Sequence, residues 1–84
     1  MVEVKINDRA LRDIAGLPLI IQGRIEDIVE RLAEWPNVGG KKALRGDWKG
    51  YYRVRTGDYR VIFRVEGKTL FIVKVDHRKN VYED

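Results

Sequence analysis

Between Lys41 and Arg64 the sequence concentrates side chains suited to holding phosphate. Eight are basic (Lys41, Lys42, Arg45, Lys49, Arg53, Arg55, Arg60 and Arg64) and only Asp47 and Asp58 oppose them, a local net charge of +6 in a chain whose total is +4. Residues 1–40 sum to −2, and the last twenty balance. Positive charge gathered in one stretch favours a polyanionic partner over a general solubility surplus. Arginine predominates after Arg45, and its planar fork of donors matches phosphate oxygens where an ammonium offers only a point charge.

His77 is the single histidine, and histidine is the side-chain type that most readily exchanges a proton near neutral pH. Near the end of a strand it reads either as a surface residue or as an acid–base group beside Arg78. Tyr82 can stack on a base and donate through its hydroxyl, or simply anchor the terminus. Other chemistries find little support. With one histidine and no cysteine, a zinc site, a thiol nucleophile and a disulfide framework are all disfavoured. Without any serine no Ser-His-Asp triad can form. Gly39-Gly40-Lys41-Lys42 lacks the spacing of a phosphate-binding P-loop. No metal and no cofactor are expected.

These groups need elements to position them. Val2, Val4 and Ile6 alternate with charged residues, predicting a short strand. Asn7-Asp8 offers a helix N-cap, Leu11 and Ile14 mark a short helix, and Gly16 is placed to end it. Pro18 suits the start of a second helix, with Ile21, Ile25, Ile28, Val29 and Leu32 on one face and Pro36 closing it. Gly23 within this helix costs about 1 kcal/mol relative to alanine, which suggests close packing of the two helices there. Residues 36–50 read as a loop. Three strands follow, Tyr51 to Thr56, Tyr59 to Val65 and Thr69 to Asp76, joined by the tight turns Gly57-Asp58 and Glu66-Gly67.

The expected fold is therefore α+β, of order β-α-α-β-β-β, with two helices on one face of a twisted antiparallel sheet. The whole chain, 1–84, reads as one domain. Strand alternation packs Tyr52, Val54, Val61, Phe63, Val65, Phe71, Val73 and Val75 beneath the helices. The opposite face then displays Arg53, Arg55, Arg60, Arg64 and Lys74, with His77, Arg78 and Tyr82 closing over it. Charges on the wet side of a sheet are ordinary. Like charges on neighbouring strands repel, however, and an electropositive groove for a nucleic-acid backbone explains the group better. Trp35 and Trp48 read as packing at the core edge; Tyr51 fits either role.

Two segments resemble a known family. The run Leu44-Arg45-Gly46-Asp47-Trp48-Lys49-Gly50-Tyr51-Tyr52-Arg53-Val54-Arg55-Thr56-Gly57-Asp58-Tyr59-Arg60-Val61-Ile62-Phe63 is similar to the middle of the RelE/ParE toxin superfamily. The ending Val75-Asp76-His77-Arg78-Lys79-Asn80-Val81-Tyr82 resembles its RelE branch. The resemblance implies a toxin of a type II toxin–antitoxin system: a metal-independent, ribosome-dependent endoribonuclease that cleaves mRNA in the A site by attack of the 2′-hydroxyl. Its partners would be mRNA and 16S rRNA on the ribosome and a cognate acidic, RelB-like antitoxin, joined in a hetero-oligomer.

By the same resemblance Arg53 and Arg55 would grip phosphate, where well-known RelE proteins carry lysines. Arg60 would stabilise the pentacoordinate transition state, His77 or Arg78 would protonate the leaving 5′-oxygen, and Tyr82 would orient the nucleophile or stack on a base. Lys41, Lys42, Arg45, Lys49, Arg64 and Lys74 would add phosphate contacts. The alternatives are a ParE-like DNA gyrase inhibitor and an inactive relative that acts only by binding its antitoxin. The alternating start Met1-Val2-Glu3-Val4-Lys5-Ile6 is unlike a signal peptide, and the longest apolar run, Leu70 to Val73, is far short of the ~20 residues that span a bilayer. A cytoplasmic location and no membrane partner are expected.

Overall fold

Asn7 ends the first strand and starts the first helix in one step. In the computed structural model, which describes residues 1–77, its side-chain oxygen accepts the Ala10 N–H at 2.8 Å, satisfying one of the orphan donors of the first helical turn. Strand β1 (Glu3–Ile6) thus passes directly into α1 (Asp8–Ala15). Gly16 follows α1 with φ −85, an ordinary right-handed conformation that does not require glycine. Pro18 sits immediately before α2 (Leu19–Leu32). Ile25, Ile28 and Leu32 are buried, and Ile21 and Val29 pack partly against the same core, as their spacing predicts.

Gly23 is exposed, and a Cβ built on it would meet nothing within 4 Å. Close helix packing is therefore not the reason for this glycine, and nothing in the structure explains it.

The sheet has five strands in the order β1-β5-β4-β3-β2. Strands β3 (Tyr52–Thr56), β4 (Tyr59–Glu66) and β5 (Thr69–His77) form the expected antiparallel meander. Two features depart from expectation. The sheet is mixed, because β1 pairs parallel to β5 (Glu3 with Thr69 through Ile6 with Ile72), the two helices supplying the crossover that a parallel pair requires. Within the segment read as a loop, Lys42–Ala43 forms a two-residue strand, β2, against Tyr52 and Arg53.

A bulge in β5 changes which residues face the helices. Ile62 is opposite Lys74 and Phe63 is opposite Ile72, so Val73 is an extra residue and the alternation reverses across it. Leu70 and Ile72 are fully buried with Val61, Phe63 and Ala10 in the core, and Val75 joins them beyond the bulge. Phe71 and Val73, expected beneath the helices, are not in that cluster. Trp35 closes the core edge, with its ring 4.8 Å from Tyr52 and 5.4 Å from Phe63.

Asp13 of α1 also touches the sheet. Its carboxylate accepts the Val75 N–H at 3.0 Å, beyond the point where β1 ceases to pair with β5. A strand amide without a neighbouring strand is thereby satisfied by a charged acceptor.

Candidate nucleic-acid interface

The face of the sheet away from the helices is organised in rows of register partners. One row places Arg55, Arg60 and Asp76 side by side on β3, β4 and β5. The next places Lys42, Arg53, Ile62 and Lys74 across β2 to β5. Directly opposed residues hold their Cβ atoms about 5 Å apart, so five cations occupy two adjacent rows. Arg60 is the exception to the exposure rule for charges. It is 2% exposed, although it departs from the face opposite the hydrophobic core. Asp76, its register partner on β5, brings a carboxylate into the same row and is in ion-pair contact with Lys74 at 2.6 Å.

Arg64 continues the face one row further. Its guanidinium lies 4.3 Å from the ring centre of Phe71, its register partner, within cation–π range. It also pairs with Glu66. The bulge at Val73 therefore puts Phe71 beneath Arg64 while still returning Lys74 and Asp76 to the basic side.

The predicted site residues divide by position. Lys42, Arg53, Arg55, Arg60, Arg64 and Lys74 come together on this face. Arg45 and Lys49 flank a 3-10 turn (Gly46–Trp48) and are exposed. Lys41 does not join them: its ammonium reaches the Pro36 carbonyl oxygen and lies 5.1 Å from the Trp35 ring, on the side of the core. His77 also departs from expectation. It is the register partner of Tyr59, its ring meets the Tyr59 ring edge-to-face at 5.0 Å, and its Nε2 is 3.9 Å from Asp58 Oδ2. Tyr59 shares the phase of Val61, so His77 flanks the helix side and does not close over Arg60. Arg78 and Tyr82 lie outside the described residues.

Three further residues lie on this face. Asp76 follows Lys74 onto it by strand alternation. Trp48 does not pack on the core edge. Its ring is half-buried, 5.2 Å from Tyr51 and 5.8 Å from the Lys74 ammonium, which places it on the basic side. Tyr51 precedes core-facing Tyr52 and so alternates onto the same side as Arg53, a signal the sequence does carry. Among the described residues no group of His, Cys, Asp and Glu could hold a metal ion, and no helix is long and apolar enough to cross a membrane.

Known proteins resemble this chain in sequence and fold. Residues 4–82 match the family model of the ParE toxin of type II toxin–antitoxin systems, parDE. The toxin RelE3 of Methanocaldococcus jannaschii is 34% identical over 79 residues, covering 87% of this chain and 86% of the relative. The toxin RelG of Mycobacterium tuberculosis is 33% identical over 82 residues, covering 94% and 93%. In the crystal structure of the RelBE2 toxin–antitoxin complex from M. tuberculosis, the matching chain superposes with a TM-score of 0.80 at 30% identity, over 92% of this chain and 98% of that one. The two-layer α+β fold is thus a RelE-like fold, and the chain belongs to the RelE/ParE superfamily of toxins from type II toxin–antitoxin systems.

Proposed function

We propose that this toxin is a ribosome-dependent endoribonuclease that cleaves mRNA in the A site. The observation that carries the reading is the row Arg55–Arg60–Asp76, in which a buried arginine stands between an exposed one and an aspartate. Such a group is pre-positioned for charge that develops on phosphorus. The 2′-hydroxyl of the message gives up its proton to solvent as its oxygen attacks the adjacent phosphorus. Exposed Arg55 meets the equatorial oxygens, and buried Arg60 adds its positive charge behind it. The bond to the 5′-oxygen breaks, leaving a 2′,3′-cyclic phosphate, and the departing oxygen takes a proton. Arg53, Lys42 and Lys74 hold neighbouring phosphates, with Arg45, Lys49 and Arg64 further out. Arg78 supplies the proton, and Tyr82 orients the nucleophile. No strong base stands among the described cations. The free protein is accordingly a feeble nuclease and relies on the ribosome to align its substrate.

The partner that silences the toxin is an acidic, RelB-like antitoxin. Support comes from the basic face and from relatives solved as toxin–antitoxin complexes. The helix layer adds Leu19 and Ile20, which are 82% and 74% exposed, and a groove of about 390 Å³ lined by Ile6, Leu11, Ile14, Ile25 and Val29 between Glu26 and Glu30. Exposed apolar side chains and an apolar groove on this layer suit a surface that a partner covers.

The family model that matches is that of ParE toxins, and this favours a second reading, inhibition of DNA gyrase. Growth on induction separates the two. Arrest relieved by Arg60→Ala, and by Tyr82→Ala, at unchanged protein level fits the nuclease. Arrest that survives both substitutions fits the gyrase reading.

A further inference from the structure

We propose that Trp48 and Tyr51 form a stacking subsite for one nucleobase of the RNA strand, beside the phosphate contacts of β3. The inference rests on the RNA-cleaving reading and adds where a base, as opposed to the backbone, is held. The hydrophobic core has its own aromatic group in Trp35, Tyr52 and Phe63. Trp48 and Tyr51 stand apart from it, half-buried on the basic side and flanked by exposed Arg45 and Lys49. Their rings meet at 88° with centroids 5.2 Å apart. In an edge-to-face pair, one ring keeps both its faces and the other keeps one. The Lys74 ammonium lies over the Trp48 ring, 5.8 Å from its centre, and the remaining ring surface is where a planar base can stack beside that cation.

The loop that carries the pair is pre-formed. The Trp48 N–H donates to the Arg45 carbonyl at 3.2 Å, the Tyr51 N–H to the Trp48 carbonyl at 2.9 Å, and the Leu44 N–H to the Tyr51 carbonyl at 2.9 Å. Gly46 and Gly50 take φ values of 63 and 93, a left-handed conformation that glycine reaches without a Cβ clash. Rings fixed before binding lose little freedom on contact. Tyr51, just before β3, and Arg53 and Arg55 within it follow one another on one side at steps of roughly 7 Å. That spacing suits successive nucleotides of an extended strand. It sets the stacked base about two nucleotides from the phosphate at Arg55 and Arg60. Aromatic and cationic side chains interleaved along one strand are the arrangement that single-stranded RNA binding uses.

The test is fluorescence anisotropy of an end-labelled hexaribonucleotide at low salt, with a second oligomer of the same length that is abasic throughout. The whole protein is compared with Trp48→Ala, Tyr51→Ala and Trp48→Phe, each checked by circular dichroism melting. Trp48→Ala is expected to weaken the normal oligomer at least about fivefold and to leave the abasic oligomer unaffected. Trp48→Phe is expected to retain most of the affinity, and the slope of affinity against salt should not change. If both alanine variants bind the normal oligomer like the parent while the salt slope persists, the stacking subsite is wrong and the phosphate face stands. If the parent shows no RNA affinity at low salt, both fall. If Trp48→Ala loses antitoxin binding while RNA affinity is unchanged, the pair is a protein contact and the inference is overturned.

Discussion

Arg60 and Asp76 are register partners at the centre of the basic face, the arginine almost completely buried and the aspartate side chain mostly buried beside Lys74. Removing Asp76 takes the one acid out of the row it shares with Arg55 and Arg60 and takes the ion-pair partner from Lys74. Loss of a buried charge's compensation costs roughly 3–5 kcal/mol. Because Asp76 retains some exposure, Asp76→Ala should fall at the low end, about 3 kcal/mol, in urea unfolding. Asp76→Asn keeps the shape and should cost less while still weakening Arg60 as a phosphate ligand.

Arg60→Ala should lower the rate of ribosomal mRNA cleavage by roughly 10²–10³, the usual loss when one pre-positioned charge stabiliser is removed. Arg60→Lys should recover only part of it, since an ammonium cannot reproduce the planar fork. Single-turnover cleavage at saturating toxin measures both.

Each phosphate contact contributes about 0.7 to the slope of log affinity against log salt for a single strand. Arg53→Gln and Arg55→Gln should each flatten that slope by roughly this amount. Lys41→Gln should leave it unchanged, because Lys41 is engaged with Pro36 and Trp35 on the other side of the sheet.

Asp13 and Val75 connect the first helix to the strand that carries Asp76 and His77. Asp13→Ala strands a partly buried amide and should destabilise the fold by about 1–3 kcal/mol. Asp13→Asn can still accept the bond and should cost less. Hydrogen exchange at the Val75 amide should accelerate in the alanine variant.

Gly23→Ala should stabilise the toxin by about 1 kcal/mol, because the site is an exposed helix interior with open space around the new methyl group. For a domain this small, that corresponds to a rise of about 4–8 °C in Tm by calorimetry.

The helices, the β3–β5 meander and most of the basic face were legible in the sequence because they follow simple periodicities. Ile21 through Leu32 obey a helical spacing, and Arg53, Arg55, Arg60 and Arg64 obey strand alternation. The bulge was not legible. Leu70, Phe71, Ile72 and Val73 are all apolar, so neither phase of alternation is marked, and Val73 as the extra residue emerges only from pairing with Ile62 and Phe63. The parallel β1–β5 pair was hidden for a related reason: a four-residue strand carries no label of its neighbour's direction. Lys41 and Trp48 were misplaced because a glycine-rich loop has no period from which to read a face. His77 was assigned to the basic side although the alternation after Val75 sets it with Tyr59.

Primer extension on an mRNA held in programmed ribosomes tests the central claim most directly, with purified toxin, the Arg60→Ala variant and a ribosome-free control run in parallel. The account predicts a new 3′ end within the A-site codon, present only with ribosomes and active toxin and lost in the variant. Intact message in the presence of folded toxin that still arrests growth would contradict it and turn attention to gyrase.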